Sequence, residues 1–265
     1  MATFLWTTDP HLDHASSAAR ERFLEGLRRA PGLAVVLTGD TSSATRLAAD
    51  LETIADAAAR PLYHVLGNHD HYGATVATVR DAVVTLGQRR PEIQWLPPAG
   101  VVSLEAGLAL IGVDGWADGR YGNALSTPFR LNDDRLIGEL AAQPSRAARL
   151  VIKRSLADAD AARLGTLLAR AAPVARRIVV ATHLPPFVEA LPRSGPLSRP
   201  TWQPLLVCGA TGVVLRDFAI EHPDHRITVL AGHTHAGTDV AILPNLRCVV
   251  GGTRYGSPSL VSFTA

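Results

Sequence analysis

Five short apolar runs in this 265-residue chain each end on a residue that can ligate a metal ion. Phe4-Leu5-Trp6-Thr7-Thr8 leads into Asp9-Pro10-His11, Ala34–Thr38 into Gly39-Asp40, and Leu62–Leu66 into Gly67-Asn68-His69-Asp70. Ile178–Thr182 leads into His183, and Ile227–Ala231 into Gly232-His233-Thr234-His235. Runs of this length, rich in Val, Ile and Leu and closed by turn residues, read as buried strands. In α/β sheets ligands collect at the carboxyl ends of strands, so the chain is constrained to a fold that gathers five strand ends on one rim. Gly39, Gly67 and Gly232 suit that crowding, since glycine permits tight turns and close backbone approach.

Between the runs lie longer Ala/Arg/Leu stretches with helical spacing, an α/β alternation. Strands are expected at 3–8, 33–38, 62–66, 107–113, 177–182 and 226–231, with shorter ones near 101–104, 239–243, 246–250 and 259–263. Helices are expected at 15–30, 44–59, 74–88, 131–142, 156–172 and 204–221. From about 226 consecutive strands with turns at Pro244-Asn245 and Gly251-Gly252 suggest an antiparallel end to a mixed sheet system. Residues 115–130 and 184–203 read as long loops of the functional kind. No repeat or linker divides the chain, so 1–265 is expected to form a single domain.

Composition removes several classes. A hydrophobic content of 47% and a mean hydropathy of +0.12 exclude disorder. Cys208 and Cys248 are too few for a disulfide framework and form no C-x-x-C pair, which suits a reducing, cytoplasmic setting. The N-terminal residues lack a basic leader region, and no apolar run reaches membrane-spanning length. The 26 basic residues include one lysine, Lys153, and the arginines are scattered over helical segments rather than set in a stripe. A nucleic-acid partner is therefore not expected, and no feature sets an oligomeric state. There is no G-x-S-x-G elbow, phosphate-binding Gly-rich loop or dinucleotide fingerprint.

The ligand types are imidazole, carboxylate and one carboxamide, without thiolate, a set for Mn, Fe, Co, Ni or Zn rather than a structural zinc. Asp9, His11, Asp40, Asn68, His183, His233 and His235 make seven candidates, too many for one catalytic ion, which takes about three. Two divalent ions sharing a carboxylate account for them.

Asp9-x-His11, Gly39-Asp40, Gly67-Asn68-His69-Asp70, His183 and Gly232-His233-x-His235, in that order, resemble the signature of the calcineurin-like metallophosphoesterase superfamily. The resemblance implies a four-layered α/β/β/α sandwich with mixed sheets and a dinuclear site at the carboxyl ends of its strands. It implies Asp9, His11 and His235 on one metal, Asn68, His183 and His233 on the other, and Asp40 bridging. It also implies catalytic His69 facing substrate, oriented by Asp70. Two cations about 3.5–4 Å apart can polarise a phosphoryl group and activate a bridging hydroxide, while His69 protonates the departing alkoxide. Pro10 and Thr41-Ser42-Ser43 depart from the pattern of many relatives without removing a ligand.

The function expected is hydrolysis of a small-molecule phosphate ester, a small phosphodiester such as a cyclic nucleotide being favoured over a monoester. The alternatives are a non-catalytic interaction protein on the same fold and a nuclease of the same superfamily. Trp116, Arg120, Tyr121, Phe187, Trp202 and Arg254, all in long loops or near the C-terminal turn, are candidate substrate contacts. His64 reads as a core residue; His14, His222 and His225 as surface or capping residues; His71 as either an exposed loop residue or a substrate contact.

Overall fold

A computed structural model describes residues 2–265 and turns the apolar runs into strands of two sheets. The first half contains β1 (Thr3–Thr7), α1 (Ser17–Arg29), β2 (Val35–Thr38), α2 (Ala44–Ala58), β3 (Leu62–Val65), α3 (Val76–Arg89), β4 (Ile93–Trp95), α4 (Leu96–Ala99), β5 (Val102–Glu105) and β6 (Gly107–Gly112). Then follow α5 (Asp133–Leu136), α6 (Gly138–Ala141), α7 (Arg146–Ala171), β7 (Ala175–Ala181), α8 (Gln203–Leu206), α9 (Gly209–Glu221), β8 (Arg226–Ala231), β9 (Thr238–Leu243), β10 (Leu246–Val250) and β11 (Val261–Thr264).

One sheet has the order β11-β1-β2-β3-β4, the other β5-β6-β7-β8-β10-β9. Strands β1 to β4 run parallel, as do β6, β7, β8 and β10, while β11, β5 and β9 are antiparallel edges. Parallel strands need both faces covered, and three apolar layers do this. Phe4, Trp6, Val36 and Val65 meet Leu108, Leu110, Val179 and Leu230 between the sheets. Leu5, Val35, Leu37 and Leu62 face Phe23, Leu27, Leu51, Ile54 and Val83 of α1, α2 and α3. Ile111, Ile178, Val180 and Val229 face Leu164, Leu168, Leu215 and Phe218 of α7 and α9. The architecture is the α/β/β/α sandwich with two mixed sheets.

Several expected elements are redrawn. The helix read at 131–142 breaks at Ile137, whose extended backbone bridges Ala74, while Gly138 N donates to the Ala74 carbonyl at 2.9 Å. The helix read from 156 starts ten residues earlier, where Ser145 Oγ accepts from Ala148 N at 3.1 Å. The stretch 204–221 splits because Val207 is extended. The antiparallel end reduces to the β9–β10 hairpin at Pro244-Asn245: β8 pairs in parallel with β10, and β11 crosses to the other sheet beside β1. That crossing carries residues 251–260 over the rim where the ligand candidates lie.

Candidate metal centre

Only six non-glycine residues among those described have left-handed backbone: Asp9, His11, Asp40, His233, His235 and Ala59. Five are ligand candidates, and Ala59 ends α2. Such conformations cost about 1–3 kcal/mol each and persist where surrounding structure imposes them. The imposed feature is a sharp turn after β1, β2 and β8 that aims polar side chains back over the rim. A Cβ on Gly39 would lie 2.6 Å from Gly67 N and 2.7 Å from His183 Nδ1, and one on Gly67 would strike the Asp40 carboxylate. No side chain fits at either place.

All seven candidates converge. Ligand atoms of Asp9, His11, Asp40 and His235 lie within 4.8 Å of one another, as do those of Asp40, His183 and His233, so Asp40 belongs to both groups. In the first group His11 Nε2 is 3.1 Å from His235 Nε2 and 3.7 Å from Asp40 Oδ2, and His235 Nε2 is 3.3 Å from Asp9 Oδ1. In the second, His183 Nε2 is 3.4 Å from Asp40 Oδ1, and Asn68 Oδ1 lies 3.1 Å from His183 Nε2 and 3.0 Å from His233 Nδ1.

Outer partners fix which atoms face inward. His183 Nδ1 sits 2.9 Å from the Thr38 carbonyl and His233 Nε2 sits 3.0 Å from the Leu205 carbonyl, so each ring donates outward through that nitrogen and turns the other one to the centre. Asn68 Nδ2 donates to Asp133 Oδ1 at 2.8 Å, which turns the carboxamide oxygen inward; the Tyr72 hydroxyl shares that carboxylate at 2.7 Å. Asp133 lies in a stretch that reads as an ordinary helix, and nothing in its spacing marks it as a partner of Asn68.

Among the described residues Asp70 makes no hydrogen bond to the His69 ring. Its fully buried carboxylate accepts from the backbone N–H groups of Asp40, Thr41, Ser42 and Gly67 at 2.8–3.1 Å, tying the β2 and β3 turns together. Burial and the Asp40 charge raise this carboxyl above the ordinary range, while the Gly67 and Ser42 amides pull it back toward the ionised form. Four donors converging on two oxygens is the setting of an ionised acceptor. The His69 ring is placed instead by Tyr72, 4.2 Å away between centroids, and by the Tyr255 hydroxyl, 3.3 Å from Nε2. That nitrogen also lies 4.0 Å from Asp40 Oδ2.

Electrostatics separates the imidazoles. Burial drives His11 down to about 4, and burial with the neighbouring His183 drives His233 down to about 4, so both are neutral, as ligation requires. Burial would also lower His183, but the Asp40 carboxylate outweighs it and raises the ring to about 10. Burial alone would raise Asp9 and Asp40; the surrounding histidines hold both carboxyls below the ordinary range.

The centre opens into a cleft of about 350 Å³ lined by Asn68, His69, Tyr72, Arg130, Trp202 and Tyr255 among others. Of the six expected substrate contacts only Trp202 lines it, stacked on Phe129 at 4.0 Å. Phe187 is wholly buried in the core under α9, and Trp116 is buried against His71 at 5.2 Å. Arg120 is engaged by Asp118 and Asp158, and Tyr121 packs beside Leu191 and Leu206. Arg254 pairs through its backbone with Ser257 and does not line the cleft, although its neighbour Tyr255 does. His71 and His225 are buried rather than exposed, as is His64. Arg130 and Tyr72 were not legible as cleft residues, because loops remote in sequence assemble the wall.

The donor set suits divalent cations: nitrogen and oxygen atoms only, convergent, with outer hydrogen bonds already in place. The sequence profile of the family described as calcineurin-like phosphoesterase matches residues 2–237. The chain belongs to that family. This calcineurin-like phosphoesterase is accordingly a metal-dependent phosphoester hydrolase that works with two divalent ions on small phosphate esters. Phosphopantetheinyl hydrolase from Mycobacterium tuberculosis shares its fold at 15% identity and TM-score 0.65, covering 98% of this chain and 95% of that one. A dimetal phosphatase from Danio rerio does so at 13% identity and TM-score 0.61, covering 95% and 87%. The Thermus thermophilus protein TT1561 is similar at 15% identity and TM-score 0.56, covering 95% and 89%. Comparison with curated proteins found no significant match. Among the described residues no helix is long and apolar enough to cross a membrane.

Proposed function

We propose that Asp9, His11 and His235 hold one cation and Asn68, His183 and His233 the second, with Asp40 on both, and that the centre hydrolyses a small phosphodiester in preference to a monoester. The membership of Asp40 in both convergent groups is the observation that carries the ligand assignment. When bound, two such ions polarise the phosphoryl oxygens and lower the pKa of a water between them. Mn, Fe, Co, Ni and Zn all accept this nitrogen and oxygen set.

The chain's own groups do the rest. His69 Nε2, the nitrogen 4.0 Å from Asp40 Oδ2, is the group in this reading that delivers a proton to the departing oxygen. Tyr255 and Tyr72 keep that ring from turning away. The diester preference rests on the remaining wall. Trp202, Tyr72, Leu197 and Leu206 offer stacking and apolar surface for a second ester substituent, such as a nucleoside. A dianionic monoester would find Arg130 as the one arginine or lysine on that wall. Residues 1–265 act as one domain in this reading, and the two buried free thiols suit a cytoplasmic setting.

The test compares kcat/KM for bis(p-nitrophenyl) phosphate and p-nitrophenyl phosphate at equal metal loading, then cyclic nucleotides against their 5′-monophosphates. Preference for the diester in both pairs is expected. Preference for the monoester in both would overturn the diester reading and leave the ligand assignment standing.

A further inference from the structure

Beside the metal cleft, behind the Phe129–Trp202 stack, lies a small recess lined by Arg130, Arg146, Arg149, Lys153 and Asp134. The two spaces share a wall. Arg130 lines both, Trp202 lines the cleft while its stacking partner Phe129 lines the recess, and Leu205 lines the recess while its carbonyl accepts from His233 Nε2. From the geometry we infer that this recess is a second anion subsite, which takes a further phosphate carried by one substituent of the substrate.

Charge is the first support. Four cations meet one carboxylate, Asp134, which is shared between Lys153 Nζ at 3.0 Å and Arg149 Nε at 3.2 Å. Lys153, the one lysine of the chain, is 7% exposed, an environment in which an ammonium group needs strong compensation. Arg149 donates from Nη1 to the Gln143 carbonyl at 2.9 Å, while its buried Nε, beside Asp134, makes no hydrogen bond. Arg130 is exposed on the cleft wall and, among the described residues, has neither an ion pair nor a hydrogen bond from its guanidinium. Arg146 is committed to the carbonyls of Thr127 and Phe129 and holds the loop that presents Arg130.

Position is the second support. Arg146, Arg149 and Lys153 fall on one face of the first two turns of α7, whose first turn has no acidic residue. Cations there oppose the positive end of a 26-residue helix dipole. The dipole and the side chains repel one another, and an anion in the recess would relieve both. A local conflict of this kind marks a site more often than a scaffold.

The inference rests on the phosphoester reading and narrows it: the substrate is a phosphoester with a second phosphate several bonds from the scissile one, long enough to pass the Phe129–Trp202 wall. A bidentate guanidinium contact from Arg130 would receive it.

The experiment uses calorimetry on metal-loaded protein with alkane-α,ω-bisphosphonates of increasing length, against alkylphosphonates of the same length, none of which can be hydrolysed. Above a threshold length the bisphosphonate should bind at least about tenfold tighter, and the gain should shrink as salt is raised, as for any charge contact. Arg130→Gln, at an exposed position, and Arg149→Met should each bring the ratio close to one. No gain at any length, or a gain that survives both substitutions, overturns the subsite. If neither series binds at all, the phosphoester reading fails along with it.

Discussion

Asp70→Ala tests whether the buried carboxylate is a brace for two ligand turns rather than a partner of His69. The substitution strands the N–H groups of Asp40, Thr41, Ser42 and Gly67, all in positions with little access to solvent. A hydrogen bond to a charged acceptor contributes about 1.5–3 kcal/mol, so four at the lower figure come to about 6 kcal/mol. Water entering the space left by the carboxylate recovers part of this, and a net loss of about 4 kcal/mol is expected. For a chain of this size that corresponds to roughly 8 °C in Tm. Asp70→Asn should fall between, since its oxygen can accept from some of the amides while its NH2 group confronts the others. Urea denaturation of the metal-free protein measures the effect without the ions' own contribution. Asp70→Ala within about 1 kcal/mol of the parent would refute the brace. So would parental stability joined to a loss of rate confined to poor leaving groups, the signature of a residue acting through His69.

Asp40→Ala should cut bound metal from two equivalents to less than one, and kcat/KM by on the order of 10³-fold, because both ions lose a ligand; elemental analysis showing two retained ions would contradict the shared role. His69→Ala should keep both ions and slow hydrolysis of alkyl esters by about 10²–10⁴-fold while sparing p-nitrophenyl esters, and equal losses would count against proton delivery. His183, raised to about 10, must shed its proton before it can ligate, so ion affinity at the Asn68–His183–His233 half should climb by up to about tenfold per pH unit between pH 7 and 9. Because that pKa is raised above the ordinary 6.5, the His183–Asp40 contribution to metal-free stability is complete below 6.5 and is lost as pH rises through about 10; a flat affinity profile would show that the ring is neutral. Asp133→Ala should weaken the same half-site by about 10–100-fold by freeing the Asn68 amide to flip, measured by metal titration.

The ligand-bearing strand ends were readable because each combines a buried apolar run with a polar residue that such a run would not otherwise tolerate. His183 following Ile178–Thr182 is the clearest case. The cleft wall was not readable in this way. Phe187 and Trp116 sit in long loops, where an aromatic looks available for ligand, yet Gly212 of α9 approaches Pro186 and Phe187 closely and the ring goes into the core. Asp133 and Arg130 carry no local pattern, since their roles depend on which loop happens to face Asn68 and Trp202. The early start of α7 was legible in principle: Ser145 before an Ala-rich stretch is an N-cap signal, and the Arg-dense first turns obscured it. The crossing of β11 to the other sheet had no sequence mark, because pairing partners are chosen by contacts far apart in the chain.

The left-handed backbone at Asp9, His11, Asp40, His233 and His235 sets stability against activity along the rim. Glycine at His11 or His235 would relax the turn and remove an imidazole from the site, whereas Asp9 and Asp40 also accept the backbone N–H groups of His233 and His69 and hold those turns in place. A search for heat-resistant variants that never asks for turnover would therefore collect glycines at His11 and His235 and arrive at a sturdier protein with fewer ligands for its ions. Grown without its metals, a lineage bearing this fold has a downhill route to a scaffold, with the same two sheets and a rim emptied one turn at a time.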